Sequence, residues 1–263
     1  MDSIDQFQSL EEIQYLLTDI DDTMTTKGKI PACAFAAMER LQQAGIRVVP
    51  ITGRPGGWCD HIARMWPVEG IVGENGAFYF AYDPTDKKMV RRYFKPEAER
   101  VEDKRRILAI QEEILARVPG CRVSEDQPYR VADLAIDFCE DVEPLGNDEI
   151  KTIVEIFESH GAVAKISSIH VNGWFGNYDK LTMTELFFKE VFGVDLEAVK
   201  HQVIFSGDSP NDEPMFAFFP NAVGVANIVK FEDDLVHRPA WVTSKEGGQG
   251  FAEMVDKLLA KKC

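Results

Sequence analysis

Short apolar segments alternate with stretches of helical spacing along the first 80 residues. The first apolar run ends abruptly in carboxylates at Asp19, which is typical of a buried parallel strand whose carboxyl end reaches a site. The predicted elements are strands at 13–18, 47–51 and 69–72 and helices at 31–44 and 56–66. This order predicts a parallel sheet with helices on its faces.

The pattern changes after residue 80 and returns near residue 180. The middle part is predicted to hold strands within 78–94 and at 131–138 and 163–171, and helices at 96–118 and 147–159. Residues 131–138 alternate like a half-exposed strand, which favours a mixed or antiparallel sheet here. The later part is predicted to hold helices at 180–192, 211–219 and 247–261 and strands at 203–206, 222–225 and 240–242.

These elements predict an α/β fold with a doubly wound, Rossmann-like parallel-sheet core and an inserted α/β domain. The expected division is 1–84 for the first part of the core, 85–177 for the insertion and 178–263 for the second part of the core. With 263 residues, the chain is long enough to bury a core without disulfides or a structural metal.

Charge and cysteine usage narrow the function classes. Lys and Arg number 29 against 44 Asp and Glu, for a net charge of −15, so nucleic acid and anionic membranes are poor partners. Five scattered cysteines, one of them Cys263, predict reduced thiols and a cytoplasmic protein. No signal peptide and no apolar stretch that could span a bilayer are recognised. The oligomeric state is left open.

Four polar clusters follow predicted strands or begin predicted helices. They are Asp19-x-Asp21-x-Thr23, Thr52-Gly53-Arg54, Lys180, and Gly207-Asp208-x-x-Asn211-Asp212. Open parallel sheets bind ligands at the carboxyl ends of their strands, so these clusters are expected to meet at one edge. The phosphate-binding motif G-x-x-x-x-G-K-[ST] is absent, which argues against a nucleotide kinase or NTPase.

With these clusters in this order, the chain resembles the haloacid dehalogenase-like phosphohydrolases of subfamily IIB, which include Cof-type sugar phosphatases. The resemblance covers the whole length, and it implies that the insertion is the α/β cap of that subfamily. It further implies a Mg²⁺-dependent phosphatase acting on a small phosphorylated metabolite, a sugar phosphate being expected. A phosphomutase that uses the same aspartyl-phosphate is an alternative, and so is a non-enzymatic phospho-acceptor domain.

The resemblance assigns roles to the two carboxylates of the first cluster and to Asp208. Asp19 would be the nucleophile, and Asp19 and Asp208 would hold Mg²⁺ together with the backbone carbonyl of Asp21. Asp21 points to the same face as Asp19 along an extended segment, so it can protonate the leaving oxygen and then activate water. Asp22 stands where the family often has glycine, and its carboxylate is expected to face solvent.

The other clusters are expected to hold the phosphate. Thr52, the Gly53 amide, Lys180 and Asn211 would bind its oxygens, and Lys180 would also balance the charge on Asp19. Asp212 is expected to contact either the metal or Lys180. The role of Arg54 stays open between reaching the substrate and tying the core to the cap.

The return from the insertion to the core carries candidates for substrate recognition. His170 and Asn172 alternate on one strand face, a plausible pair for sugar hydroxyls, with Trp174 on the same side as a stacking surface. The alternative is an ordinary exposed strand face.

Overall fold

The computed structural model describes residues 1–7, 12–233 and 235–260. Cys263, counted above among the cysteines, lies outside the described residues. The α-helices are α1 (Ala32–Gln43), α2 (Gly56–Met65), α3 (Glu97–Arg117), α4 (Asn147–Ser159), α5 (Lys180–Phe187), α6 (Leu196–Val199), α7 (Glu213–Phe218) and α8 (Gly247–Ala260). The strands are β1 (Asp2–Ser3), β2 (Tyr15–Thr18), β3 (Arg47–Pro50), β4 (Ile71–Gly73), β5 (Phe78–Asp83), β6 (Lys88–Tyr93), β7 (Arg122–Val123), β8 (Leu134–Asp137), β9 (Val163–Ile166), β10 (His170–Trp174), β11 (Val203–Gly207), β12 (Ala222–Gly224) and β13 (Trp241–Val242).

A six-stranded sheet in the order β1-β13-β12-β11-β2-β3 forms the centre of the fold. All of its pairings are parallel. Successive residues of β2 point to opposite faces: Leu16 packs in a cluster with α1 and α8, and Leu17 packs in one with α5 and α7. This is the predicted α/β fold with a doubly wound parallel core. The edge strand β1 was not predicted from the sequence.

The register of this sheet brings the predicted clusters to one edge. Thr18, the last residue of β2, pairs with Pro50 of β3 on one side and with Ser206 of β11 on the other. The chain therefore leaves three neighbouring strands at the same level, just before Asp19, Thr52 and Asp208.

A smaller antiparallel sheet, β7-β8-β10-β9, packs against α3 and α4. The predicted single strand at 163–171 is wrong, because β9 and β10 are separate strands joined by a turn at residues 167–169. The predicted half-exposed strand at 131–138 is wrong as well, since β8 is buried on both faces. On its polar face Asp137 is not in water but accepts backbone N–H groups from residues 139–141.

A third sheet, β4-β5-β6, is antiparallel and joins the parallel sheet through a bridge between Ile51 and Val72. The predicted boundary between residues 84 and 85 falls in the turn of the β5–β6 hairpin, and the division into core and insertion stays a prediction. Among the described residues, no helix is long and apolar enough to cross a membrane.

Candidate active site

Lys180 is buried at the start of α5 and contacts two carboxylates. Its Nζ lies 2.8 Å from Asp19 Oδ1 and 2.7 Å from Asp212 Oδ1. Asp179 caps the helix by accepting the Thr182 N–H at 2.8 Å, which fixes the first turn that carries Lys180. Asp19 follows β2, and its N–H donates to Ser206 of β11 at 2.8 Å. The ammonium is therefore held between two elements that are distant in sequence.

Asp208 is buried directly after β11 and is held by two donors. The Thr23 hydroxyl donates to Oδ1 at 3.0 Å, and the Asn227 amide donates to Oδ2 at 3.3 Å. Asn227 also donates to the Asp22 carbonyl at 2.9 Å, so it joins both acidic loops. Thr23 belongs to the first cluster of the sequence, whereas nothing in the sequence singled out Asn227.

Asp212 uses both carboxylate oxygens within the protein. Oδ1 accepts from Lys180, and Oδ2 accepts the N–H groups of Asp208 and Ser209 at 3.0 and 3.4 Å. Of the two contacts expected for Asp212, the structure shows the one with Lys180. The side chain thereby anchors the Asp208 loop to the lysine.

Asp19, Asp208 and Asp212 form a buried acidic cluster, with one oxygen of each within 4.8 Å of the others. Burial raises the pKa of Asp19 to about 8; Lys180 lowers it, and Asp212 and Asp21 raise it. Burial, with Asp19 and Asp212 nearby, also raises the pKa of Asp208 well above its ordinary value. One ammonium does not balance three carboxylates, so the donor set fits a hard divalent cation with oxygen ligands.

Arg54 ties Asp21 to the predicted insertion. Its Nε and Nη2 bind Asp21 at 2.8–3.0 Å, and Nη2 also lies 2.6 Å from Glu140 Oε1. Nη1 contacts Asp126 at 3.3 Å, and the guanidinium lies over the Trp58 ring at 4.6 Å. Of the two roles left open for Arg54, these contacts support the tie between core and insertion.

Glu140, which the sequence analysis did not single out, joins Arg54 to His170. His170 Nε2 lies 2.9 Å from Glu140 Oε2. Burial would raise the pKa of Glu140, but the contacts with His170 and Arg54 outweigh it and lower that pKa to about 2. Glu140 is therefore held as a carboxylate between Arg54 and His170.

Thr52 and Gly53 form a buried loop after β3. Thr52 is fully buried, and its Oγ1 accepts the Arg54 N–H at 3.0 Å. The Gly53 carbonyl accepts from Arg130 Nη1 at 2.9 Å. The Asn75 side chain packs against Gly53, where an added Cβ would lie 3.2 Å from its amide nitrogen.

Residues of the core and of the predicted insertion line a small cavity of about 10 Å³, which has room for about one water molecule. Asn211 lines it, and its Oδ1 accepts from the Ser209 hydroxyl at 2.9 Å, which leaves the amide N–H groups for a ligand. His170 and Asn172 line it too, but Asn172 donates to Asp133 at 2.9 Å. The full lining comprises Asp19, Asp21, Gly53, Arg54, Ser167, Ser168, Ile169, His170, Asn172, Ser209 and Asn211.

Two expectations about single residues are wrong. Trp174 is buried and stacks on Tyr178 with ring centroids 5.7 Å apart, so it offers no surface to a sugar. Asp22 is half-buried rather than solvated, and burial raises its pKa. Its φ of +53° lies in the left-handed region, which explains why glycine suits this position. The exposed-face alternative for His170 and Asn172 is wrong as well, because both are buried.

A family model described as haloacid dehalogenase-like hydrolase matches residues 16–112. The search of curated proteins found no match.

Solved structures match over nearly the full length at low identity. A Thermoplasma acidophilum protein is 18% identical with a TM-score of 0.71, over 95% of this chain and 99% of that one. A HAD/COF-like hydrolase from Plasmodium vivax is 18% identical with a TM-score of 0.69, over 95% and 96% of the two chains. A sugar phosphatase of haloacid dehalogenase subclass IIB is 15% identical with a TM-score of 0.62, over 95% and 98%. At these identities the structures show a shared fold.

Proposed function

The chain is a haloacid dehalogenase-like hydrolase, and from that premise we propose that it is a Mg²⁺-dependent phosphatase acting on a small phosphate monoester. The observation that carries the proposal is the position of Lys180 Nζ, within 2.8 Å of Asp19 in an acidic cluster with Asp208. An anionic phosphate can approach a carboxylate nucleophile only where cations offset the repulsion.

We propose that Asp19, Asp208 and the backbone carbonyl of Asp21 hold the Mg²⁺ ion. When bound, the ion would neutralise the charge of the phosphate and of the acidic cluster. Asp212 is the weaker ligand, because both of its oxygens already accept hydrogen bonds from Lys180 and backbone N–H groups.

In the proposed reaction, Asp19 attacks phosphorus while the bond to the leaving oxygen breaks and Asp21 gives that oxygen a proton. Water then attacks the aspartyl-phosphate, Asp21 takes a proton from the water, and inorganic phosphate leaves. Asp21 is bound by Arg54 in the structure, so it must exchange Arg54 for the leaving oxygen. Arg54 also binds Glu140 and Asp126 of the predicted insertion. Motion of the insertion would therefore draw Arg54 away and release Asp21.

We propose that Thr52, the Gly53 amide, Lys180 and Asn211 bind the phosphate oxygens. The amide N–H groups of Asn211 support this assignment, because Asn211 lines the cavity together with Gly53. Lys180 would serve both the phosphate and Asp19, since it is buried and its pKa is raised by its two carboxylate partners against the opposing effect of burial.

We propose that the substrate is a sugar phosphate and that residues 85–177 act as a cap. Support comes from structural neighbours that include a subclass IIB sugar phosphatase and a trehalose-6-phosphate phosphatase related protein. Further support is the polar lining of the cavity, in which we assign substrate recognition to Arg54 from the predicted core and to His170 and Asn172 from the predicted insertion. A cytoplasmic location is proposed on the basis of free thiols at Cys33, Cys59, Cys121 and Cys139.

The test is release of inorganic phosphate from a panel of phosphorylated metabolites, with and without Mg²⁺. Lys180→Ala should lose activity about 100-fold or more, as expected when a charge-stabilising donor is removed. The matched control is Lys189→Ala, because Lys189 is exposed on the same helical segment. An isomeric sugar phosphate without free phosphate would identify a mutase, and a stable phospho-aspartate without turnover would identify a phospho-acceptor domain.

A further inference from the structure

Glu74 is a buried carboxylate whose hydrogen-bond partners, among the described residues, are backbone N–H groups. Oε1 accepts from Gly56 at 2.9 Å and from Val131 at 2.8 Å. Oε2 accepts from Val131, Ala132 and Asp133 at 3.1, 2.7 and 3.3 Å. Burial, with Asp133 nearby, raises the pKa of Glu74 to about 8, against lowering by Arg130 and these backbone donors. One side chain thus satisfies four backbone donors.

The donors belong to two different parts of the chain. Gly56 begins α2, two residues after Arg54, whereas residues 131–133 precede β8 in the predicted insertion. The turn that carries Glu74 has an unfavourable backbone, because Glu74 and Asn75 both have positive φ, +43° and +53°. Two consecutive non-glycine residues with positive φ persist only where surrounding contacts compensate for the strain of the backbone.

The loop bound by Glu74 leads to the proposed phosphate site. Arg130, next to Val131, donates to the Gly53 carbonyl at 2.9 Å and to Asp133 at 3.0 Å. Asp133 in turn accepts from Asn172, which lines the cavity. The position of the 131–133 loop therefore determines both the contact with Gly53 and the orientation of a cavity residue.

We propose that Glu74 is a positioning residue that docks the 131–133 loop of the insertion on the Thr52–Arg54 loop and so sets recognition of the substrate beyond its phosphate. This rests on the proposed phosphatase function. Glu74 itself does not line the cavity, so its effect on catalysis passes through Arg130 and Asp133.

The experiment compares Glu74→Gln with the wild type on two substrates. One is the sugar phosphate that the panel shows to be turned over fastest, and the other is acetyl phosphate, whose leaving group is small. Gln offers one acceptor oxygen and places an NH₂ group against backbone donors. The kcat/KM for the sugar phosphate should fall at least 10-fold, mainly through KM, while that for acetyl phosphate changes less than 3-fold. Equal losses on both substrates, or no loss, would overturn the proposal.

Two further measurements keep the result decisive. Glu69→Gln is the control, because Glu69 is exposed just before β4, the strand that Glu74 follows. This variant should behave as wild type. If Glu74→Gln fails to fold, Arg130→Lys tests the next contact, that of Arg130 with the Gly53 carbonyl and Asp133, and should give the same substrate-selective loss. A loss equal for both substrates contradicts the proposal.

Hydrogen exchange separates this proposal from the proposed function. In Glu74→Gln, the backbone N–H groups of residues 131–133 should exchange at least 10-fold faster, whether or not the protein hydrolyses phosphate. Unchanged protection of these groups would refute the docking role. An inactive wild type with the expected exchange pattern would instead refute the phosphatase assignment alone.

Discussion

Gly76 offers a test of how Lys180 is placed. Its φ is +106°, and an added Cβ would overlap the Asp179 carbonyl oxygen and lie 3.1 Å from the Lys180 nitrogen. Gly76→Ala must therefore push the start of α5 away from the turn after β4. Gly45→Ala is the matched control, because Gly45 also has positive φ, +77°, but nothing within 4 Å of an added Cβ.

The two variants separate backbone strain from steric overlap. A left-handed conformation costs an L-residue about 1–2 kcal/mol, so both variants lose that amount. Overpacking adds about 1–3 kcal/mol, which only Gly76→Ala should lose. At about 2–4 °C per kcal/mol for a chain of this size, the melting temperature of Gly76→Ala should lie roughly 2–12 °C below that of Gly45→Ala.

Activity gives the second measurement on the same pair. A small displacement of a catalytic group can cost about 100-fold in rate. We therefore expect kcat for phosphate release to fall at least 10-fold in Gly76→Ala and to stay at the wild-type value in Gly45→Ala. Equal melting temperatures for the two variants, or a wild-type kcat in Gly76→Ala, would refute this account of how α5 is packed.

Three further predictions concern the charged groups of the site. Lys180→Met should lower the free energy of unfolding by about 3–5 kcal/mol without metal, measured by urea titration, because it leaves buried carboxylates unpaired; an unchanged midpoint would contradict this. Arg54→Lys should raise KM and lower the melting temperature, since lysine cannot bind Asp21 and Glu140 at once; wild-type values for both would speak against the tie. The pKa of Asp19 is raised to about 8, so without metal the folded state keeps the Asp19 proton up to about pH 8. The unfolded state loses that proton above about pH 4. The contribution of Asp19 to the free energy of unfolding therefore falls as pH rises from about 4 to 8. A Mg²⁺ concentration of 100 times the Kd at pH 8 should therefore raise the melting temperature by about 5–10 °C at pH 8. The same concentration should raise it much less at pH 5, and an equal shift at both pH values would be the contrary result.

The parallel core could be predicted because its determinants are local. Apolar runs of four to six residues, each followed by polar residues, indicated β2, β3 and β11. Once those strands are adjacent and parallel, their carboxyl ends share an edge, and Asp19, Thr52 and Asp208 must follow there. The meeting of Lys180 with Asp19 rested on the family resemblance, since no local pattern marks that lysine.

The structure of residues 85–177, the predicted insertion, was harder to predict because polar residues there are paired with each other. His170 and Asn172 alternate with apolar residues as on an exposed strand, yet Glu140 and Asp133 cover them. A sequence pattern cannot distinguish a polar side chain in water from one paired with a distant carboxylate. The turn at 167–169 was missed for a simpler reason: Ser167-Ser168-Ile169 contains no glycine or proline.

Several contacts that shape the site come from residues far apart in sequence. Asn227 joins the two acidic loops across about 200 residues, and Glu74 reaches a loop nearly 60 residues later. Neither residue belongs to a recognisable motif, and each matters because of what the fold brings beside it. Such residues become visible only when the three-dimensional contacts are known.

The central claim is that Asp19 accepts the phosphoryl group beside Lys180. The most direct measurement is rapid acid quenching of Asp21→Asn with substrate and Mg²⁺, followed by mass spectrometry of the peptides. With acetyl phosphate as the substrate, the leaving acetate needs no proton, so loss of Asp21 should slow hydrolysis of the aspartyl-phosphate more than its formation. A phosphoryl group should then accumulate on the peptide that contains Asp19 and be absent from the Asp19→Asn variant. Phosphate release by Asp19→Asn at the wild-type rate, or a phosphoryl group on another peptide, would contradict the account.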